Sequence, residues 1–291
     1  MVKQNYLSEE NLASGVKNYL AGDYRAAIVD LGKAIEINAN IAETYFYLGS
    51  AYLQLGHYNA AKFNLNKAIE INPNYSDAYC NRGVLKENSG ETNEAIADYD
   101  KAIEINPNHA KAYHNRGTTK FELGDFEAAL ADFDNAVKTD PDFADAYSNR
   151  AITKTKLGDY KGTLDDYDKV IQIKQDDAEA YYGRGFAKIK LGDFEAAIAD
   201  LDRAIEIKPS YADAYLYRGI ARYALGDYKE AVDDYDKCLK IHPSDITARS
   251  YRSDAQAKLD EEEAAAEKPK LKITIRPYSE RTLSDNYRVQ F

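Results

Sequence analysis

LGDFEAALADFD (123–134) and LGDFEAAIADLD (191–202) agree at all but two of their places, and they stand twice 34 residues apart. Midway between them runs LGDYKGTLDDYD (157–168), and LGDYKEAVDDYD follows at 225–236. The same step governs the whole chain. Glycines fall at 22, 56, 90, 124, 158, 192 and 226, and tyrosines at 45, 79, 113, 147, 181 and 215. Alanines at 27, 61, 95, 129, 197 and 231 keep the interval, with Thr163 in the missing slot, and prolines recur at 73, 107, 141, 209 and 243. Self-similarity at a fixed period of this size is the sequence signature of a solenoid, in which each unit buries its apolar face only by stacking on the next.

One unit, 110–143, reads as two helices. The first runs from about Ala110 to Leu123 and stops at Gly124, a helix-ending residue. Asp125 caps the second, FEAALADFDNAVKT, and Pro141 ends it. Helix–turn–helix at 34 residues, with Tyr near the start, Gly four later, Gly-Asp-Tyr/Phe at the turn, then Ala and Pro, resembles the tetratricopeptide repeat. That resemblance implies an all-α, right-handed superhelix. Seven repeats are expected at 8–41, 42–75, 76–109, 110–143, 144–177, 178–211 and 212–245, after a lead-in of residues 1–7. A capping helix over 246–267 follows, in which Arg249 and Ser253 replace the repeat's Tyr and Gly, and then a tail, 268–291. Repeat 5 departs most, carrying Gly162-Thr163, Val170 and Gln175 where Ala-Ala, Ala and Pro are usual. A mid-helix Gly costs about 1 kcal/mol relative to Ala, so a weak seam is expected there.

The recurring phrase YCNRG (79–83), YHNRG (113–117) and YSNRA (147–151) divides by helical angle. Take Ser76, Ala110 and Ala144 as the first position of their repeats. The tyrosine at position 4, the residue at 8 and that at 11 then share a packing face, while positions 2, 5, 6, 9, 12 and 13 lie opposite. In tetratricopeptide arrays, by resemblance, that opposite side lines a concave groove. The arginines at position 7 (82, 116, 150, 184, 218) occur in the five repeats that also carry Asp at positions 23 and 25 and Lys or Arg at 11. The matched acids predict an internal charge ladder rather than an anion-binding row.

Asn81, Asn115 and Asn149 therefore form a line along the groove, broken by Tyr47, Gly183 and Tyr217. A primary amide donates and accepts, so such a row can hold the backbone of an extended peptide without demanding its sequence. The family's carboxylate clamp for chaperone C-termini is matched only by Asn81 and Lys111, with Phe46, Ser50 and Asn115 replacing the clamp residues. Repeats 6 and 7 present Tyr182, Phe186, Ile189, Leu216, Tyr217, Ile220 and Tyr223, an apolar run expected to be exposed as a partner surface.

Composition narrows the classes. A net charge of −11 argues against duplex nucleic acid and anionic membrane surfaces. The N-terminus shows no apolar leader, no stretch approaches the ~20 apolar residues of a membrane span, and Cys80 and Cys238 make no framework, so a reducing cytoplasm is expected. Four histidines (57, 109, 114, 242) fall in separate repeats or faces, so no catalytic grouping, metal site or cofactor motif is read. The tail KPKLKITIRPYSERTLSDNYRVQF carries +4, leaving −15 on residues 1–267, and could dock on the acidic array. The expected function is a non-enzymatic scaffold or adaptor that holds an extended segment or helix of a protein partner in the groove. The alternative is a subunit that self-associates through its ends or convex face.

Overall fold

The computed structural model describes residues 2–267, and these form helices only, fifteen among the described residues. Fourteen stand as seven antiparallel pairs: α1 (Val2–Leu20) with α2 (Tyr24–Ile37), α3 (Ala42–Gln54) with α4 (Tyr58–Ile71), α5 (Ser76–Asn88) with α6 (Thr92–Ile105), and α7 (Ala110–Glu122) with α8 (Phe126–Thr139). The series continues with α9 (Ala144–Leu157) and α10 (Tyr160–Ile173), α11 (Ala178–Leu191) and α12 (Phe194–Ile207), and α13 (Ala212–Leu225) and α14 (Tyr228–Ile241). α15 (Ile246–Glu267) packs on α14 and α13. α1 begins at Val2, so residues 2–7, read from the sequence as a lead-in, lie within that helix. The tail, 268–291, lies outside the described residues.

Two local devices set each turn. The recurring glycines take φ between +73° and +90°, the left-handed conformation that ends a helix and that only Gly adopts freely. Beside them, Asp23, Asp125, Asp159 and Asp193 accept from the N–H groups of residues 26, 128, 162 and 196, capping the second helix of the pair. Gly162 thus stands in the first turn of α10, where a glycine costs less than in mid-helix. Its neighbour Thr163 is fully buried and bonds Asp159 O (2.8 Å) and Thr155 Oγ1 (3.1 Å). These bonds tie down the repeat that the sequence marks as the weak seam.

The second helices pack through one large residue, Leu31, Leu65, Tyr99, Phe133, Leu201 or Tyr235, set against a glycine of the first helix. A Cβ at Gly117 would meet Phe133 at 2.9 Å, and one at Gly219 would meet Tyr235 at 2.7 Å, so the close approach needs Gly. Repeat 5 breaks this rule. Ala151 takes the glycine's place, and the Tyr167 ring lies instead under Gly183 of the following repeat, where an added Cβ would fall inside the ring's van der Waals surface.

The charge ladder exists and reaches further than one helix pair. Arg116 donates from Nε (2.9 Å) and Nη2 (2.6 Å) to both oxygens of buried Asp132, while Nη1 donates to Asp100 of the preceding repeat (2.5 Å). Lys120 meets the same Asp132 at 2.8 Å. Arg150, Arg184 and Arg218 repeat the arrangement on Asp166, Asp200 and Asp234 and reach back to Asp134, Asp168 and Asp202. Arg82 pairs with Asp98 but reaches back to the Asn66 amide oxygen, and in repeat 1 Ser14 and Asn18 make a neutral version on Asp30. Each of the five guanidinium groups also lies over the tyrosine three residues earlier, 5.2–5.6 Å from the ring centre.

Odd-numbered helices approach one another from repeat to repeat (α1 to α3, α3 to α5, through α13 to α15), whereas among the described residues even-numbered helices do not. A stack in which one row of helices touches and the other fans apart is curved, with the touching row inside. The odd helices therefore line the concave side.

Candidate functional site

The three groove asparagines are half-buried, and each amide nitrogen already has a partner in the preceding repeat. Asn81 Nδ2 donates to Ser50 Oγ (2.7 Å), Asn115 Nδ2 to Cys80 Sγ (3.7 Å), and Asn149 Nδ2 to His114 Nε2 (2.9 Å) and Thr118 Oγ1 (3.3 Å). Because an amide N–H donates to it, His114 Nε2 accepts, and the ring proton sits on Nδ1, which lies 3.3 Å from Asn115 Oδ1. A directed chain results, from Asn149 through His114 and Asn115 to Cys80, crossing repeats 5, 4 and 3. Burial holds the His114 pKa below the ordinary histidine value, which keeps the imidazole neutral and the chain intact. The row expected to offer free amides thus spends one N–H of each on repeat-to-repeat stacking. The second N–H and the carbonyl oxygens of Asn81 and Asn149 have no partner among the described residues. Lys111 is exposed on the same side, beside Asp77 and Cys80.

The apolar run of repeats 6 and 7 is narrower than its sequence suggests. Leu216 is a correction: only 6% exposed, it belongs to the core cluster that α13 and α14 form with Ala248 and Ala255 of α15. Ile220 and Tyr223 pack against that cluster, because α15 covers the end of the array, and Ile189 packs against Leu201, Ala204 and Ala214. Tyr182, Phe186 and Tyr217 remain accessible as one aromatic group. Tyr217 stands edge-on to both, 5.7 Å from Tyr182 and 5.1 Å from Phe186, and Tyr182 contacts Tyr211 at 5.0 Å.

This group borders a depression of about 260 Å³ lined by Ile152, Thr155, Tyr167, Tyr182, Phe186 and Tyr217, among others. A second, of about 240 Å³, is lined by Thr118, Phe121, Glu122, Phe133, Asn149 and Ile152. Ile152, 40% exposed, is common to both, so the two form one continuous trough over repeats 4 to 7 with the last amide of the row in its wall. Thr118, Phe121 and Ile152 occupy groove-facing positions on their helices but were not singled out by the sequence reading. Tyr167 could not be reached that way, since it belongs to a second helix. Its signal was the joint departure at Ala151 and Gly183. The trough's two rims differ. Exposed Asp145, Glu179 and Asp213 lie at the N-terminal ends of α9, α11 and α13, and Lys156 and Lys190 at the C-terminal ends of α9 and α11. Lys190 Nζ sits 5.2 Å from the Phe186 ring centre. At the N-terminal end of the array, Leu12, Ala13, Val16 and Leu20 flank an open depression of about 510 Å³.

Nothing in this groove has the chemistry of a reactive site. Burial pushes the Cys80 thiol up to about 12 and Cys238 to about 11, away from thiolate reactivity. Among the described residues no cluster of three or more His, Cys, Asp or Glu side chains could hold a metal ion. None of the described helices is long and apolar enough to cross a membrane.

Comparison with functionally curated proteins gave no match. Solved structures do resemble the chain. YrrB, described as a TPR protein with an unusual peptide-binding site, is 24% identical, with a TM-score of 0.61 over 65% of this chain and 97% of its own. MamA is 26% identical (TM-score 0.55; 58% of this chain, 92% of its own), and Pseudomonas aeruginosa PilF 19% identical (0.64; 73% and 97%). Family models described as tetratricopeptide repeat match residues 76–109, 110–143 and 182–246, and one described as TPR repeat matches 18–56, 49–90 and 153–192. With seven stacked helix pairs, glycine-set turns and these matches along most of its length, the chain belongs to the tetratricopeptide repeat family.

Proposed function

We propose that the chain is a non-enzymatic scaffold that holds an extended segment of a partner protein along the trough from Thr118 to Tyr217. The observation that carries this reading is the continuity of the two depressions through Ile152, with apolar walls and few polar groups, the composition expected of a binding groove. Asn149, with one N–H and its carbonyl oxygen to spare, would bond the peptide backbone, as Asn81, Asn115 and Lys111 would further along. Tyr182, Phe186 and Tyr217 would take an apolar side chain, and Ile189, Ile220 and Tyr223 would back them from behind. The fold is that of a protein-interaction scaffold, and the trough adds where such an interaction would be seated.

Selection of binders from a random peptide library displayed on phage tests the reading. Ile152→Lys places a charge at the shared wall without touching the core, and it should reduce recovery of selected peptides roughly tenfold, as removal of a central apolar contact does. Peptides recovered equally by wild type and Ile152→Lys would remove the trough from the mechanism. Self-association through the ends has less support. Exposed Glu10, Ser14 and Lys17 face outward on α1, and exposed Arg249, Ser253 and Asp260 on α15, so both ends are polar.

A further inference from the structure

We infer that the trough is occupied by the chain's own C-terminal segment, residues 270–278 (KLKITIRPY), so that the array carries its own competitor for the partner; this rests on the trough being the binding site proposed above. Two features of the trough select the chemistry of an occupant. Its floor is apolar and aromatic (Ile152, Tyr182, Phe186, Tyr217). Along one rim stand Glu179 and Asp213, which make no ion pair among the described residues, unlike neighbouring Asp145, which Lys174 meets at 2.7 Å. These carboxylates lie close enough to the trough to help burial raise the pKa values of Tyr182, Tyr211 and Tyr217. A segment that alternates apolar and basic side chains answers both features.

Residues 270–278 are such a segment. Laid out extended, Leu271, Ile273 and Ile275 would share one face about 6.6 Å apart, and Lys270, Lys272 and Arg276 would share the other. The apolar face suits the floor and the basic face the rim. Charge acts in the same sense at long range, since residues 268–291 carry +4 and the rest of the chain −15. Reach is sufficient. The segment starts beyond Glu267 at the end of α15, and 24 extended residues span up to about 80 Å. Neighbouring helices in a stack lie roughly 10 Å apart, so the three steps from α15 back to α9 need well under half of that. Tethering also gives the segment an effective concentration on the order of millimolar, enough for a weak site to be filled.

The chain has no tryptophan, so Ile275→Trp in the full-length protein supplies a single reporter. Docking predicts emission shifted to shorter wavelength than that of the free 268–291 peptide bearing the same Trp, with quenching by acrylamide several-fold weaker. The signal should not depend on protein concentration, and Glu179→Lys/Asp213→Lys should return it to that of the free peptide. Emission and quenching equal to the free peptide would overturn docking. Shielding that appears only at high concentration, together with a doubled mass by light scattering, would instead assign the segment to a second copy and overturn the intramolecular form. Phage selection on Ile152→Lys reads the trough independently of the reporter. Should the reporter be exposed while Ile152→Lys still abolishes peptide capture, this inference fails and the proposed function stands.

Discussion

A single methyl group at position 151 redirects an aromatic ring. In repeats 3, 4 and 7 a glycine lets Tyr99, Phe133 or Tyr235 lie against the first helix of its own pair, and Ala151 closes that place to Tyr167. The ring moves under Gly183, which is why the asparagine row stops there: a side chain at 183 and the Tyr167 ring cannot share the space. Gly183→Ala is therefore expected to destabilise by about 1–3 kcal/mol in urea unfolding, the usual cost of overpacking, and Tyr167→Leu in the same chain should recover part of it. Additive losses would mean the two positions do not compete. His114 makes a second residue-scale prediction. Its folded-state pKa is depressed by burial, so the unfolded chain binds the proton first. Its contribution is full above the ordinary histidine value of about 6.5 and is lost as pH falls below that value. The wild-type urea midpoint should drop more between pH 7.5 and 5.5 than that of His114→Gln, which keeps a polar side chain but cannot take the proton. Equal drops would remove His114 from the acid response.

Between elements, what matters is which bonds cross from one helix pair to the next. Arg116 holds two aspartates of very different setting: Asp132 has 3% of its side chain exposed, Asp100 56%. Asp132→Ala leaves Arg116 and Lys120 without their buried partner and should cost about 3 kcal/mol or more, whereas Asp100→Ala, though it removes a bond just as short, should cost under about 1 kcal/mol. Urea unfolding of the two variants, with unchanged slopes, checks the contrast, and similar losses would contradict it. The ladder's membership was legible in the sequence, because the arginines appear with their acids in the same five repeats. Its direction was not, since the backward reach to position 25 depends on how pairs stack rather than on any one helix. The helices, the turns and the groove-facing asparagines were legible for the same reason: each follows from spacing within one unit. The burial of Leu216 was not, because it depends on α15 closing the end of the array. Nor was the Tyr167 pocket, which depends on a ring crossing from one repeat to another.

At the scale of the whole molecule, each pair touches only its neighbours, so stability is distributed along one dimension and the ends matter most. α15 acts as the last neighbour. Ala248 and Ala255 are fully buried against repeat 7, Tyr251 stacks on Tyr235 at 6.0 Å, and Arg252 extends the ladder by pairing with Asp236 at 2.6 Å. Arg252 stands at the same place in its helix as Arg116 does in α7, so α15 is a first helix that lacks its second. The polar face it presents outward is what stops the stack. Ending the chain at residue 245 would uncover Tyr235, Cys238 and Leu216 together and leave Asp236 unpaired. Hydrogen exchange should then show protection lost at α13 and α14 relative to a chain ending at 267, with α7 and α8 unchanged, because a nearest-neighbour array passes a loss on only weakly. A uniform loss from α1 to α14 would show instead that the seven pairs open as one unit, and that the trough in repeats 4 to 7 depends for its shape on both ends of the array.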